Sequence, residues 1–360
     1  MTDGYGNQRG LSVGELMVAL LLASFLTMGM VYIFTSNSDT FRLNEASARV
    51  QESGRMAMDI LGRAIRNAGY WGCMDPPENL TCPDGGDGDQ PFSCMLNNNV
   101  EDIDSMFTTL GGDDNVGGSN GFGAVAGSDV IRFGGVQGNA LLTATTQTPV
   151  NSATIFSGQN PQALVNDGDI LIISNCQAAD VFQVSNTRNN GFTVNTGTGS
   201  PGNDRQNQSA YSQGAKFFRP SRVAYYIRDD DGRRSLAFNT LDMQADGNGT
   251  VGQYSTSREE ELVSNIWGMQ IQYGRDTSGD GSVDQWSDPG SASDAQQALA
   301  VRYSFLVRSR NEDVVEEPQT YCYPGWLDCE SNPGLRTTAG DRHLYRVYTS
   351  VSTLRNRVGG

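Results

Sequence analysis

The sequence is dominated near its start by one apolar stretch, LSVGELMVALLLASFLTMGMVYIF, which occupies residues 11–34. This stretch carries a single charge, at Glu15. A helix rises about 1.5 Å per residue, so a run of this length reaches about 36 Å, whereas the hydrocarbon core of a membrane is about 30 Å thick. The stretch therefore predicts a helix that is long enough to cross a membrane.

Glu15 distinguishes this stretch from an ordinary secretory signal and from a simple membrane anchor. A secretory signal has a basic segment before a shorter apolar run and a small-residue cleavage site after it. Here the polar segment MTDGYGNQRG at residues 1–10 has only Arg9 as a positive charge, and no A-x-A site directly follows the run. A simple anchor fits the length but leaves unexplained a carboxylate that costs about 2.5–3.5 kcal/mol at the centre of a membrane and less near its edge.

Cleavage after Gly10 would supply a partner for this carboxylate. It would create a positively charged α-amino group on Leu11 and would make Glu15 the fifth residue of the mature chain. The amine and the carboxylate would then lie about 6 Å apart along the helix axis. When such helices pack side by side, Glu15 of one subunit neutralises the Leu11 amine of its neighbour and sets the axial stagger between them.

The motif GLSVGE at residues 10–15, followed by an apolar helix, resembles the signature of the type IV prepilins. The resemblance implies that residues 1–10 form a leader, and that a membrane-embedded prepilin peptidase cuts between Gly10 and Leu11 and N-methylates the new terminus. Residues 11–34 would then form a transmembrane helix that becomes the filament core. The first mature residue of that family is usually Phe, so Leu11 departs from the pattern.

The next segment, residues 35–69, turns polar but keeps helical spacing. Gly69 is placed to end the helix. We expect one continuous helix of roughly 55 residues, whose amphipathic second half packs on a head domain; a solvated helical stalk is the alternative. Gly54 and Gly62 are expected to weaken this half locally. The apolar residues that form its intermittent stripe are Phe41, Val50, Ala57, Ile60, Leu61, Ala64, Ile65 and Ala68.

The remainder of the chain, residues 70–360, is predicted to form a β-rich head. Forty-three glycines cluster with Asp, Asn and Ser, a composition typical of short strands joined by turns. The run DDDG at 229–232 predicts a hairpin turn. The fold class is therefore α+β, with a long N-terminal helix and a large antiparallel head. Runs of β-branched and aromatic residues predict strands at 130–133, 170–173, 181–184, 192–194, 223–227, 269–273, 301–307 and 344–351.

Cysteine usage points to an oxidising compartment. No C-x-x-C pair is present and His343 is the only histidine, so a structural zinc site is poorly supported. An even count after an export-type N-terminus predicts disulfides formed in the periplasm, while reduced buried cysteines are the alternative. Sequence alone leaves the connectivity open. Our hypothesis is that Cys82–Cys94 and Cys322–Cys329 close local loops and that Cys73–Cys176 joins the helix exit to the sheet.

The segment DTSGDGSVD at residues 276–284 matches the first part of a calcium loop. Position twelve is Ser287 rather than the bidentate glutamate, the flanks look like strands, and Asp288 is a candidate late ligand. A solvated acidic β-turn is the alternative, and a bound calcium would stiffen the loop without any catalytic duty. The candidate ligands are Asp276, Ser278, Asp280, Ser282 and Asp284.

Two function classes are disfavoured by composition and motifs. The net charge of −16, without any basic patch in the sequence, argues against a nucleic-acid partner. The sequence has no Walker or H-E-x-x-H motif, and His343 lies in a strand-like run. We therefore expect no enzymatic activity and no required cofactor, with Ca2+ as an optional ligand.

Several segments resemble the PilW group of minor pilins: NAGYWGC at 67–73, DILIISNCQAADVFQV at 169–184, VRYSFLVRSR at 301–310 and HLYRVYTSVSTLRNR at 343–357. The resemblance implies a minor pilin that helps to initiate type IV pilus assembly and joins the tip complex, and hence serves twitching motility and adhesion. The expected partners are prepilin peptidase, other minor pilins, the major pilin and a PilY-type tip adhesin. The helix would sit in the inner membrane with the head in the periplasm, and the protein would lie in the surface pilus after assembly.

Two other interpretations stay open. A minor pseudopilin of a type II secretion system shares the leader and the helix, but the large head, the motif at 67–73 and the LRNR ending at 354–357 favour the pilin. A membrane-anchored calcium-dependent adhesin, lectin or enzyme head would need a catalytic or sugar-binding constellation, and the sequence contains none that we recognise.

Overall fold

The computed structural model of the protein describes most of the chain. The described residues are 12–72, 74, 80, 82, 91–97, 107–118, 120–121, 123–136, 138–157, 160–194, 196, 202–206, 209–242 and 259–357.

The predicted continuous helix is present as α1 (Val13–Asn67), which is 55 residues long. It ends where Ala68 leaves the helical conformation and Gly69 follows with φ of 71°, the left-handed region that favours glycine. The Gly69 amide donates to the carbonyl of Gly134 at 3.0 Å. The end of the helix is therefore tied directly to a strand of the head.

Two antiparallel sheets lie against the second half of α1. Sheet I has the strand order β13 (Glu260–Ser264), β12 (Arg233–Asp242), β11 (Pro220–Asp230), β3 (Val130–Val136) and β2 (Leu110–Asp113). Sheet II has the order β15 (Gln285–Ser287), β14 (Ile266–Arg275), β16 (Ala298–Arg308) and β19 (Tyr345–Thr353). A short helix, α2 (Ala292–Gln296), precedes β16, and a ribbon of β17 (Thr320–Cys322) and β18 (Arg336–Thr338) precedes β19.

The core between α1 and these sheets shows that the second half of the helix packs on the head rather than forming a solvated stalk. Val50, Ala57, Leu61 and Ile65 are fully buried in one cluster with side chains of β14, β16 and β19. Such burial stabilises by about 1.5–3 kcal/mol for each large side chain. Phe41, in contrast, is 69% exposed, so the packed part of α1 begins after it.

Two glycines of α1 allow this close approach. A Cβ atom added at Gly54 would overlap the ring of Tyr348, and one at Gly62 would lie 2.6 Å from the hydroxyl of Tyr303. The Tyr303 hydroxyl donates to the Met58 carbonyl at 3.1 Å, so this tyrosine also bonds to the helix backbone. Gly54 and Gly62 are thus the positions at which β19 and β16 pack closely against the helix, in addition to the helix weakening expected of glycine.

We predict that Gly54→Ala destabilises the protein by about 1–3 kcal/mol, because overlap with Tyr348 outweighs a gain in helix propensity of about 1 kcal/mol. The measurement is the free energy of unfolding of the detergent-solubilised chain. Gly29→Ala is the matched control, since no atom lies within 4 Å of a Cβ at that position. A Gly54→Ala protein as stable as the control would contradict the steric explanation.

Two further sheets, III and IV, form a second β region that has its own apolar clusters. Sheet III has the order β1 (Phe92–Cys94), β7 (Ala179–Gln183), β6 (Ile170–Ser174), β10 (Lys216–Phe218) and β4 (Leu142–Thr143). Sheet IV has the order β5 (Thr154–Phe156), β9 (Gly191–Thr193) and β8 (Asn186–Arg188). β1 and β7 run parallel, which departs from the otherwise antiparallel pairing of these sheets.

The predicted α+β class is confirmed, and each predicted strand overlaps an observed one. The predicted hairpin joins β11 to β12, with Asp231 and Gly232 at the two positive-φ positions expected of a tight turn. The strands that sequence reasoning missed are short or polar, and therefore give no period-two signal. They are β1, β2, β4, β5, β8, β10, β13, β15, β17 and β18.

Two of the three predicted disulfides are present. Cys82 bonds to Cys94 beside sheet III, and Cys322 bonds to Cys329 in the connection between β17 and β18. Cys176 is disulfide-bonded as well, whereas Cys73 lies outside the described residues, so the Cys73–Cys176 pairing stays a prediction.

A buried carboxylate, Asp129, links sheets I and II. Its two oxygens accept hydrogen bonds from the amides of Asn115 at 2.9 Å and Ile271 at 2.7 Å. The neighbouring Ser128 hydroxyl accepts from the Met269 amide at 3.1 Å. Residues 128–129 therefore bond to β14 much as another strand would.

We predict that Asp129 makes stability fall as pH rises from about 4 to about 7. Burial raises the pKa of Asp129 to about 7, despite the opposing effect of the two amides. In this range the folded state keeps a proton that the unfolded state has released, so the free energy of unfolding falls by up to about 1.4 kcal/mol per pH unit. Chemical denaturation across this range should show a shallower slope for Asp129→Asn. Parallel curves for the two proteins would contradict the prediction, and exposed Asp313→Asn serves as the control.

Candidate assembly site

The first turn of α1 holds Glu15 in a capping box. The Glu15 carboxylate accepts from the Ser12 amide at 2.9 Å and from the Ser12 hydroxyl at 3.0 Å. In return, the Ser12 hydroxyl accepts from the Glu15 amide at 3.3 Å. These bonds satisfy donors that every helix start leaves without intrahelical acceptors.

The capping box shows how the predicted assembly residue Glu15 is held within its own chain. Glu15 is held at the very start of the helix by its own chain, a feature that the S-x-x-E spacing could have revealed and that sequence reasoning missed. Gly10 and Leu11 lie outside the described residues, so the cleavage site and the pairing of Glu15 with a neighbouring amine stay predictions.

The first half of α1 exposes an apolar surface that the rest of the described chain leaves uncovered. Between residues 13 and 34, fifteen large hydrophobic side chains are exposed, from 53% at Leu16 to 77% at Val13. Covering them would stabilise the protein by on the order of tens of kcal/mol, which is more than a typical domain's whole stability. The helix is long and apolar enough to cross a membrane.

The hydroxyl groups of Ser24 and Thr27, within this apolar surface, are satisfied inside the helix. The Ser24 hydroxyl donates to the Leu21 carbonyl at 2.8 Å, and the Thr27 hydroxyl donates to the Ala23 carbonyl at 2.6 Å. Such bonds remove the cost of placing a hydroxyl in hydrocarbon. Glu15 is therefore the one charged side chain that the apolar segment brings to a membrane or to a neighbouring helix.

The candidate calcium loop connects β14 to β15, as its strand-like flanks predicted. The Asp276 carboxylate accepts from the amides of Gly279 at 2.6 Å and Gly281 at 2.8 Å. The Asp284 carboxylate accepts from the amides of Thr277 and Ser278, both at 2.9 Å. The amides of Gly281 and then Gly279 hold the pKa of Asp276 below its usual range.

In these contacts the carboxylates of the loop at 276–284 accept hydrogen bonds from the loop's own backbone. Asp280 likewise accepts a hydrogen bond from the Ser282 amide at 2.8 Å. The five candidate ligands therefore lie in one turn, but the acids among them accept hydrogen bonds from the turn's own backbone amides. Within the described ranges, no group of three or more His, Cys, Asp or Glu side chains is arranged to hold a metal ion. The acidic-turn interpretation accounts for every contact here, and calcium binding stays a prediction.

We predict that Asp276→Ala lowers the melting temperature in the presence and absence of calcium, because the backbone amides lose their acceptor. Differential scanning calorimetry, with calcium or a chelator, measures this effect. Calorimetric titration of calcium then tests the optional ligand. Heat that is present in the wild type and absent in Asp280→Ala would establish a calcium site; an unchanged melting temperature in Asp276→Ala would contradict the turn's stabilising role.

Comparison with known proteins gives one match. Residues 224–356 match the model of a family described as Type IV Pilus-assembly protein W, PilW. The match runs from within β11 through β19, and so covers most of the strands that pack on α1. It includes the segment at 301–310 and nearly all of that at 343–357, whereas those at 67–73 and 169–184 lie outside it. No curated protein and no solved structure matches the chain.

Proposed function

From the premise that this chain is a PilW-type protein of type IV pilus assembly, we propose that it acts as a minor pilin. In this proposal prepilin peptidase cuts after Gly10, and the mature subunit helps to initiate the pilus and contributes to the complex at its tip. Twitching motility and adhesion would depend on it for that reason.

The observation that carries the proposal is the division of α1 into two halves. Val50, Ala57, Leu61 and Ile65 bind the helix to the head, whereas the segment 13–34 leaves its apolar side chains uncovered. A helix that served only the fold of the head would bury its most apolar part. The uncovered half therefore fits a subunit that sits in the inner membrane and later packs among the helices of other subunits.

Glu15 would set the register of that packing. Its carboxylate is already held against the first turn by Ser12, so little side-chain entropy remains to be lost when a neighbour binds. In the proposed assembly the Leu11 amine of an adjacent subunit approaches this fixed carboxylate, and the pair removes two charges from an apolar environment.

The proposed partners follow from this location. They are prepilin peptidase, the other minor pilins, the major pilin and a PilY-type tip adhesin, with the head in the periplasm before assembly and in the pilus afterwards. We propose no enzymatic activity and no required cofactor, and calcium at residues 276–284 would be an optional stiffening ligand.

We predict that Glu15→Ala leaves membrane insertion intact but reduces surface pili several-fold, because the neighbouring amine would lose its counter-charge. Sheared pili are quantified, and processing is checked by N-terminal sequencing, which should begin at methylated Leu11. Asp39→Ala, an exposed acid beyond the apolar segment, is the matched control. Undiminished pili in Glu15→Ala would count against the pairing.

Deletion of the gene distinguishes a role in the pilus from the main alternative, a role in a type II secretion pseudopilus. The proposed function requires loss of surface pili with normal export of secreted enzymes. Normal pili together with loss of secreted enzymes would assign the chain to the secretion machine.

A further inference from the structure

An arginine cleft lies between α1 and the head. Five arginines line it against two carboxylates, in a chain whose net charge is −16. The cleft has a volume of about 280 Å³, and it shares Arg49, Arg308 and Arg310 with a neighbouring recess of about 510 Å³ along α1. Its arginines come from α1, the β11–β12 hairpin and the end of β16: Arg49, Arg233, Arg234, Arg308 and Arg310.

The floor of the cleft is a fixed stack. The guanidinium carbons of Arg308 and Arg234 lie 3.2 Å and 4.2 Å from the centre of the Trp267 ring. Arg234 also donates to the Trp267 carbonyl at 3.1 Å and to Asp229 at 3.1 Å. Cation–π contacts and hydrogen bonds therefore hold both guanidinium groups in place. Each is also paired with an acid of the chain, Arg234 with Asp229 at 3.1 Å and Arg308 with Asp341 at 3.5 Å.

The rim of the cleft carries charge that the described chain does not neutralise. Arg233 and Arg310 are exposed, and neither forms an ion pair with any acid in the part of the chain that the structure describes. Arg49, in contrast, pairs with Glu45 at 2.7 Å. A fixed floor and two uncompensated rim charges favour an anionic ligand, because little of the site needs to reorganise on binding.

The position of the cleft excludes a membrane lipid as that ligand. Arg49 lies fifteen residues beyond Phe34, the end of the apolar run, which is about 22 Å of helix. A tilt of about 40° would still leave it about 17 Å from the hydrocarbon, whereas the headgroup layer is about 5–8 Å thick. The anion must therefore come from the space around the head.

We infer that the arginine cleft binds a carboxylate-bearing segment of a neighbouring pilus subunit. This inference rests on the proposed function, because side-by-side assembly would bring a second subunit alongside α1 at this height. Arg233 and Arg310 would pair with the segment's acids, while Arg234 and Arg308, stacked on Trp267, would form the fixed floor beneath them.

The binding test uses full-length protein in detergent and a fluorescein-labelled hexaglutamate peptide, followed by fluorescence anisotropy. We expect saturable binding that weakens with salt, and a loss of at least about tenfold in Arg233→Glu/Arg310→Glu. The matched control, Arg188→Glu/Arg355→Glu, reverses two exposed charges away from the cleft and should stay within about twofold of the wild type.

Three outcomes would overturn the inference. They are absence of peptide binding at low salt, equal binding by the two double variants, and competition by inorganic phosphate or phosphatidylglycerol vesicles that exceeds competition by unlabelled hexaglutamate. The last result would assign the cleft to phosphate chemistry instead.

A cellular comparison tests whether the arginine cleft is needed for pilus assembly and separates this inference from the proposed function. We expect several-fold fewer surface pili in Arg233→Glu/Arg310→Glu than in Arg188→Glu/Arg355→Glu, with normal processing in both. If Glu15→Ala impairs assembly and the cleft variant does not, the neighbouring-subunit inference is wrong while the proposed function stands. If deletion of the gene leaves surface pili intact, the proposed function itself fails.

Discussion

The packing of α1 against sheets I and II is the interaction on which the rest of the structure depends. Val50, Ala57, Leu61 and Ile65 close the core from one side, and Gly54 and Gly62 let Tyr348 and Tyr303 approach the helix backbone. This contact fixes the head relative to the helix. It consequently fixes the direction in which the uncovered apolar half leaves the head.

The same contact separates two kinds of apolar surface on one helix. The packed half is stabilised within the chain, whereas the described chain leaves the segment 13–34 uncovered, so its burial would need a membrane or other helices. Glu15 stands at the outer end of that segment and is held by Ser12. A single helix is therefore part of the core along one half, and in the proposed function its other half would be both anchor and assembly surface.

In the proposed assembly, the head would recognise its neighbour through the charges of its surface. Three of its acids serve internal structure: Asp129 joins two sheets, and Asp276 and Asp284 shape a turn. Five arginines, in contrast, gather in a cleft beside α1, and two of them, Arg233 and Arg310, have no acid paired with them in the described part of the chain. In a strongly acidic chain, such a concentration of positive charge is the surface most suited to selecting a neighbour.

The sequence by itself determined α1, its end at Gly69, the apolar segment with Glu15 and the tight turn between β11 and β12. These features depend on composition, periodicity and local backbone conformation, which neighbouring residues specify. Only the tertiary structure decided that Tyr348 fits against Gly54, that Asp129 bonds to β14 and that distant arginines meet around Trp267. These contacts join residues far apart in the chain, and their geometry depends on strand pairing and close packing that no local pattern encodes.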